Sequence, residues 1–364
     1  LAMVLALVMT LSLAVSASAF KDDKDVSADY AEAVAVLNGM DVFKGYEDGS
    51  FKPQGNITRA EVATIIYRIY TGDVAKNDKS GLYSTYNKFS DMTGAGWASG
   101  YIGYCANAEL VKGYPDGTFK PSGNVTGYEV LAMILRAVGY DKNGEFSGAD
   151  WSLNVAKYAE QLGVLKNVAK TTNLGAPATR ELVAEILFRA IQQPTVTYTP
   201  AFGYVTDKAL KLDETTLGKK NFNLDSKDSE DEWGRPSTKW YNTKTSKTYA
   251  EVVATPDASY NVATAQCDIC SALGEKTSAK IVETYTNGVK STAAETYKAT
   301  ATKAMVGAQG EQIEFYEVKD GYRLVIVDTY LAKVTSVVSE KIDKNNHVDR
   351  DDYTVLEAYV DEGK

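Results

Sequence analysis

This 364-residue chain has three cysteines and a single histidine. Three thiols cannot build a disulfide framework, so the fold must rest on packed cores. With His347 as the only imidazole, Cys267-x-x-Cys270 is two ligands short of a structural zinc site. That pair is open to three readings: a local disulfide, half of a metal site, or two unpaired thiols. Cys105 falls on an apolar helical face and reads as a buried thiol. Positive charge is also scarce, with 39 Lys and Arg against 48 Asp and Glu for a net of −9. This argues against a general nucleic-acid binder, which needs a basic surface. No Gly-x-Ser-x-Gly elbow is present, and no acidic pair stands apart from solvated surface carboxylates. The chain therefore reads as a non-enzyme that needs no cofactor and no metal.

Long apolar runs are confined to Leu1–Val15. Ala17-Ser18-Ala19 follows as a small-x-small site, so residues 1–19 read as a secretory signal peptide cut before Phe20. The run is too short and too interrupted for a membrane span, and no membrane association is expected after cleavage. No Met or basic segment precedes it, so the sequence is expected to begin inside the signal.

What is abundant is repetition. KGYEDGSFKPQGNITRAEVATIIYR at Lys44–Arg68 returns at Lys112–Arg136 as KGYPDGTFKPSGNVTGYEVLAMILR, offset by 68 residues without insertion. Its tail returns, offset by 121, as ATRELVAEILFR at Ala178–Arg189. Copies of this kind need neighbours to bury their apolar faces. Each unit reads as helix, loop, helix. Val62, Ile65, Ile66 and Ile69 form one stripe, repeated by Val130, Ile134 and Ala137 and by Val183, Ile186, Leu187 and Ala190. Tyr30, Val34 and Leu37 mark the first helix of copy one. Asp48-Gly49 and Asp116-Gly117 supply turns in which glycine takes positive φ. Thr58-x-x-Glu61 and Thr126-x-x-Glu129 are capping boxes, while copy three keeps Thr179 but carries Leu182 in the glutamate's place.

Arg59 and Arg180 resist a purely structural account. A cation in the first helical turn opposes the macrodipole. A guanidinium above free helix amides would make an anion clamp, and Gly127 in copy two would lack it. The alternative is an arginine that is solvated or paired to an acid.

Phe89-Ser90-Asp91 with Trp97-Ala98, Gly113-Tyr114-x-Asp116-Gly117-x-Phe119-x-Pro121 and Thr58-Arg59-Ala60-Glu61 together resemble the S-layer homology domain. The likeness covers residues 20–193, as repeats at 20–73, 86–142 and a divergent 146–193. It implies an α-helical pseudo-trimer of three helix-loop-helix repeats with grooves between them. It also implies a bacterial cell-wall location and non-covalent anchoring to secondary cell-wall polysaccharide, often pyruvylated and associated with peptidoglycan. Self-assembly in a surface layer is compatible with it. By position, Arg59 and Arg180 become the foremost glycan contacts, with Lys44, Lys112 and Lys166 behind them. Trp97 and Trp151 either face sugars or anchor the core. Residues 20–193 hold 18 basic and 21 acidic side chains, so an anionic glycan must be held by local clamps.

Pro194–Pro200 reads as an extended linker at 194–202, followed by a β-rich, multidomain remainder at 203–364. Strands are expected at 249–254, 259–265, 281–285, 312–318, 322–329 and 331–338, with Asp320-Gly321 as a two-residue hairpin turn. The segment Glu232–Tyr241, with Trp233 and Trp240, reads as a loop that packs on the β part or meets glycan. Asp343–Asp352 lacks the glycine and glutamate of a calcium loop and reads as an acidic turn. The chain is expected to continue past Lys364. A surface enzyme whose catalytic domain lies beyond this chain, or an adhesin, is the alternative to a plain anchor.

Overall fold

The computed structural model describes residues 20–74, 78–86, 88–210, 215–263, 265–274, 278–291, 295–298, 305–329, 331–338 and 355–361. The leader and the Asp343–Asp352 turn lie outside these. Two compact units result: residues 12–229 with 237–253, and residues 230–236 with 254–364.

The first unit is built from six helices, α1 (Ala28–Gly39), α2 (Arg59–Thr71), α3 (Ser99–Asn107), α4 (Gly127–Val138), α5 (Trp151–Gln161) and α6 (Arg180–Ile191). The apolar stripes read from the sequence are the buried faces. Val62, Ile65, Ile66 and Ile69 are in the core, as are Val130, Ile134, Val183, Ile186 and Leu187. Packing interlocks the copies: α1 lies on α6, α3 on α2 and α5 on α4, while α4 contacts both α2 and α6. Each first helix thus covers the second helix of a different copy, which is why no copy can close its own core.

Local chemistry fixes the ends. Thr58 accepts from the Glu61 amide while Glu61 takes the Thr58 amide at 2.8 Å, and Thr126 with Glu129 repeats this. Gly49 and Gly117 both sit at φ 80°. Asp22 and Asp91 add a device not recognised in the sequence. Each carboxylate accepts two consecutive amides, Phe51 and Lys52 for Asp22, Phe119 and Lys120 for Asp91, at 2.7–2.8 Å. These bonds hold Lys52 and Lys120 at φ near 57°, a conformation that side chains other than glycine disfavour.

The stretch expected to be an extended linker folds back instead. Val196–Thr199 (β1) and Gly203–Thr206 (β2) form an antiparallel hairpin in which Tyr198 pairs with Tyr204. Tyr204 then packs on Tyr140, and its hydroxyl donates to Glu145 at 2.8 Å. A short helix, α7 (Leu217–Phe222), precedes a three-stranded sheet of β3 (Leu224–Glu230), β4 (Pro236–Asn242) and β5 (Thr248–Val253). Trp240 lies in β4 and not in a loop. Its ring stacks edge-on to Phe188 at 5.1 Å and its Nε1 donates to Glu32 at 2.9 Å. Apart from residues 230–236, the chain up to Val253 therefore belongs with the helices, so the main β-rich remainder starts about fifty residues later than its polar, turn-rich sequence suggests.

Gly39 shows how closely β5 approaches α1. A Cβ there would lie 1.9 Å from the Tyr249 carbonyl oxygen. Gly39→Ala is expected to cost about 1–3 kcal/mol by forcing backbone apart, despite alanine's better helix propensity. A urea midpoint equal to the parent's would contradict this contact.

The second unit holds β6 (Ala258–Asn261), β7 (Cys267–Asp268), α8 (Ile269–Ala272), β8 (Ser278–Thr286), β9 (Val289–Ser291), β10 (Glu295–Lys298), β11 (Met305–Val306), β12 (Glu311–Val318), β13 (Gly321–Asp328), β14 (Leu331–Val338) and β15 (Val355–Asp361). Its main sheet runs β10-β8-β13-β12-β6, with β9 on β8 and the β8–β13 pair parallel. Val318 pairs with Gly321, so the tight turn is Lys319-Asp320, one residue earlier than the sequence suggests, with Asp320 at φ 73°. Cys267 and Cys270 are both buried, and burial pushes the Cys267 thiol up to about 11. Among the described residues no helix is long and apolar enough to cross a membrane.

Candidate functional site

The N-termini of α2, α4 and α6 meet one another through isolated bridges: Thr58 with Asn124, Thr126 with Pro177, and Asn56 with Thr179. These crossings use up the helix amides that an anion clamp would need. The Arg59 and Ala60 amides donate to Gly123 and Pro121 carbonyls at 2.9 and 3.0 Å. Those of Arg180 and Glu181 donate to Gly55 and Pro53 at 2.9 and 3.1 Å.

The two arginines are correspondingly inside. Arg59 is 3% exposed and Arg180 2%. Arg59 donates Nε to the Phe119 carbonyl at 2.7 Å, Nη2 to that of Lys112 at 3.0 Å, and Nη1 to Glu129 at 2.7 Å. Its guanidinium lies over the rings of Tyr114 and Phe119. Arg180 repeats this on the first copy, donating to Phe51 and Lys44 carbonyls at 2.6 and 2.9 Å, with Glu61 at 3.5 Å and the Phe43, Tyr46 and Phe51 rings around it. Burial lowers its pKa below the usual arginine value, against the Tyr46 and Glu61 charges that raise it. These are cross-links between copies, and the macrodipole penalty is offset by carbonyls and carboxylates of the neighbouring copy. The expectation of guanidiniums poised over free amides fails on that ground. Gly127 is explained in the same way: a Cβ there would stand 2.8 Å from Leu174 Cδ2, so the next loop fills the arginine's place.

A groove of about 1110 Å³ opens beside the first copy. It is lined by Lys44, Tyr46, Thr64, Arg68, Trp97 and Arg180, among others. Trp97 is 65% exposed and is one of the residues lining the groove. Lys44 reaches Asp41 at 3.3 Å. Arg68 was not singled out in the sequence, because a basic residue in the last turn of a helix is ordinary dipole compensation. Its only signal was recurrence at 136 and 189.

The remaining candidates disperse. Trp151 is partly buried, its ring edge-on to Tyr128 at 6.4 Å, which favours the anchoring role. Lys166 is exposed and lines neither cavity described here. Lys112 lines a smaller cavity of about 420 Å³ with Arg136, Asp141, Lys142 and Lys220. There Asp141 accepts from Arg136 at 2.6 Å and from Lys112 at 3.0 Å. Burial alone would raise the Asp141 carboxyl, but the Phe146 amide, Arg136 and Lys112 outweigh it and hold the group below 3.8. Its stabilising contribution is then present above pH 3.8 and lost as pH falls through the depressed value. Asp141→Asn should therefore flatten the acid limb of stability against pH in urea titrations. A limb as steep as the parent's would count against this linkage.

Comparison with known proteins bears on this arrangement. Residues 19–63 and 88–131 match the S-layer homology domain. The match covers both Asp-Gly turns, both capping boxes and the first turns of α2 and α4. The chain is 29% identical over 167 residues to Middle cell wall protein of Brevibacillus brevis, spanning 46% of this chain and 15% of that one. It is 36% identical over 134 residues to Cellulosome-anchoring protein of Acetivibrio thermocellus, 37% of this chain and 28% of the relative. It is 26% identical over 190 residues to Exoglucanase XynX of the same species, 48% of this chain and 16% of the relative. The chain thus spans less than a third of each of these relatives. S-layer homology domains therefore occur in two copies here by direct match, in a helical region followed by a β-rich one.

Proposed function

We propose that this chain anchors a secreted surface protein to the bacterial cell wall, non-covalently, through secondary cell-wall polysaccharide. Residues 20–193 act in this reading as three S-layer homology repeats in a pseudo-threefold arrangement, the third at 146–193 being divergent. The three bridges among the N-termini of α2, α4 and α6 support it. So does Arg180, which serves the first copy as Arg59 serves the second.

The observation that carries the proposal is the groove beside the first copy, which an exposed Trp97 lines together with Lys44 and Arg68. An aromatic face with cations beside it suits a sugar that bears an acidic substituent, such as a pyruvyl ketal. Arg59 and Arg180 contribute by shaping the loops, and Arg180 also lines the groove. Lys112, Lys166 and Trp151 are secondary candidates. Catalysis is assigned no residue in this chain. The surface-enzyme reading, which the exoglucanase relative favours, places chemistry in sequence outside it.

Co-sedimentation of the full chain with purified wall sacculi tests the proposal. Binding to native sacculi and loss of binding after extraction of the secondary polysaccharide is the expected result. Equal pelleting with extracted sacculi would move the ligand to peptidoglycan, and no pelleting with either would refute anchoring.

A further inference from the structure

We infer that Arg68 is the groove's carboxylate receptor, and that side chains of this protein occupy the corresponding position at Arg136 and Arg189. The inference rests on the wall-glycan reading above and specifies the chemistry that the groove selects.

The three arginines stand at offsets of 68 and 121 along the chain. Two are already satisfied by carboxylates of their own. Arg136 Nε donates to Asp141 Oδ2 at 2.6 Å, and Arg189 Nε to Glu185 Oε1 at 2.7 Å with Nη2 on Glu32 at 3.0 Å. Arg68 differs. Its Nη1 donates to the Val42 carbonyl at 3.2 Å, its Nε is buried without a partner, and among the described residues it forms no ion pair.

The cause is legible in the substitutions. Thr64 stands where Glu185 stands, 121 residues earlier, and spends its hydroxyl on the Ala60 carbonyl at 2.9 Å. Asp73 stands where Asp141 stands, 68 residues earlier, and takes the Tyr67 hydroxyl at 2.9 Å. Asp78 feels the Arg68 charge but accepts from the Tyr101 hydroxyl and the Ser80 amide instead. Of the groove's other cations, Lys44 has Asp41 and Arg180 has Glu61. Among the described residues Arg68 is therefore the groove cation with no carboxylate in contact.

A guanidinium fork matches a planar carboxylate through two parallel bonds. The groups that fill this place at Arg136 and Arg189 are themselves carboxylates. A carboxylate-bearing sugar, its ring against Trp97, would turn the Arg68 guanidinium outward and satisfy both Nε and Nη2. By the same reasoning Arg136 and Arg189 are self-occupied and bind no such group.

Two variants of the full chain test this: Arg68→Gln, which removes the charge, and Thr64→Glu, which supplies an internal carboxylate as Glu185 does. The probe is purified wall glycan, native or with its carboxyl groups reduced to alcohols. Both variants should lose about tenfold or more in affinity for native glycan, the loss of one charge-assisted contact. The parent should lose a similar factor on the reduced glycan, and neither variant should distinguish the two glycans. Circular dichroism melts identify any variant that fails to fold, and Arg68→Gln alone then decides. Parent-like affinity in Arg68→Gln would overturn the inference while leaving anchoring intact. Equal parent affinity for native and reduced glycan would overturn the carboxylate assignment. Absence of binding by the parent would overturn both readings.

Discussion

Arg59→Ala should destabilise the helical unit by about 3–5 kcal/mol, the cost of stranding a buried partner of an ion pair. Three groups lose a donor at once: the Phe119 carbonyl, the Lys112 carbonyl and Glu129, which keeps only the Tyr114 hydroxyl and Thr126 and loses its cation. The rings of Tyr114 and Phe119 lose the cation between them. Arg59→Lys should recover only part, because one ammonium cannot span three acceptors held by a planar fork. Arg180→Ala should cost less, since its Glu61 contact is longer at 3.5 Å. A domain stable by roughly 5–15 kcal/mol would be close to unfolded with both changes. Loss of wall binding in the double variant would then report folding and not contact with glycan. Urea midpoints for the single variants decide it, and a loss below about 1 kcal/mol in Arg59→Ala would return these residues to the list of free clamps.

Much of this first unit was legible because its determinants are local. The stripes at Val62–Ile69 and Val183–Ala190 follow helical spacing, and the capping boxes need only residues three apart. Gly49 and Gly117 stand next to the aspartates that make their turns. The choice between the two readings of Arg59 is hidden from the sequence because its partners are distant: Glu129 is 70 residues away, and the Gly123 and Pro121 carbonyls that take the Arg59 and Ala60 amides also lie on the next copy. A dipole argument treats the first turn as facing water, whereas here a neighbouring loop supplies carbonyls to its amides. Trp240 was lost for a related reason. Lys239, Tyr241 and Asn242 around it look loop-like, but β4 buries only Ser237 and Trp240, with a register shift after Trp240 that breaks the period-two pattern. The hairpin turn shifted by one residue because Gly321, with φ at 156°, still pairs with Val318, which leaves αL geometry to Asp320. Arg68 was visible only by comparing copies, since its distinction lies in what its neighbours do not supply.

The second large effect lies in the β unit, at Glu314. This carboxylate is buried on β12, accepts Arg235 Nε at 2.7 Å and the Tyr316 hydroxyl at 2.8 Å, and leaves Arg235 only Asp231, at 3.4 Å, if removed. Burial first, and then the Glu314 charge, push the Tyr316 hydroxyl well above its ordinary value. Glu314→Ala should therefore lower the stability of this unit by about 3–5 kcal/mol, with Arg235 left as an underpaired buried cation. Trp233 provides a local reporter, since it packs against the Tyr285, Tyr316 and Val325 cluster. With fluorotryptophan incorporated, its fluorine resonance can be followed separately from those of Trp97, Trp151 and Trp240. The Trp233 line should lose its native position at lower urea in Glu314→Ala. A Trp233 midpoint unchanged from the parent would mean that water or backbone compensates Arg235. Replacing both charges, as Arg235→Met with Glu314→Leu, should recover most of the loss, because the desolvation of two ions disappears with their attraction. Recovery in the double variant would show that the pair's cost to break far exceeds its net contribution, and that Arg235 and Glu314 specify the pairing of this loop with β12 more than they stabilise it.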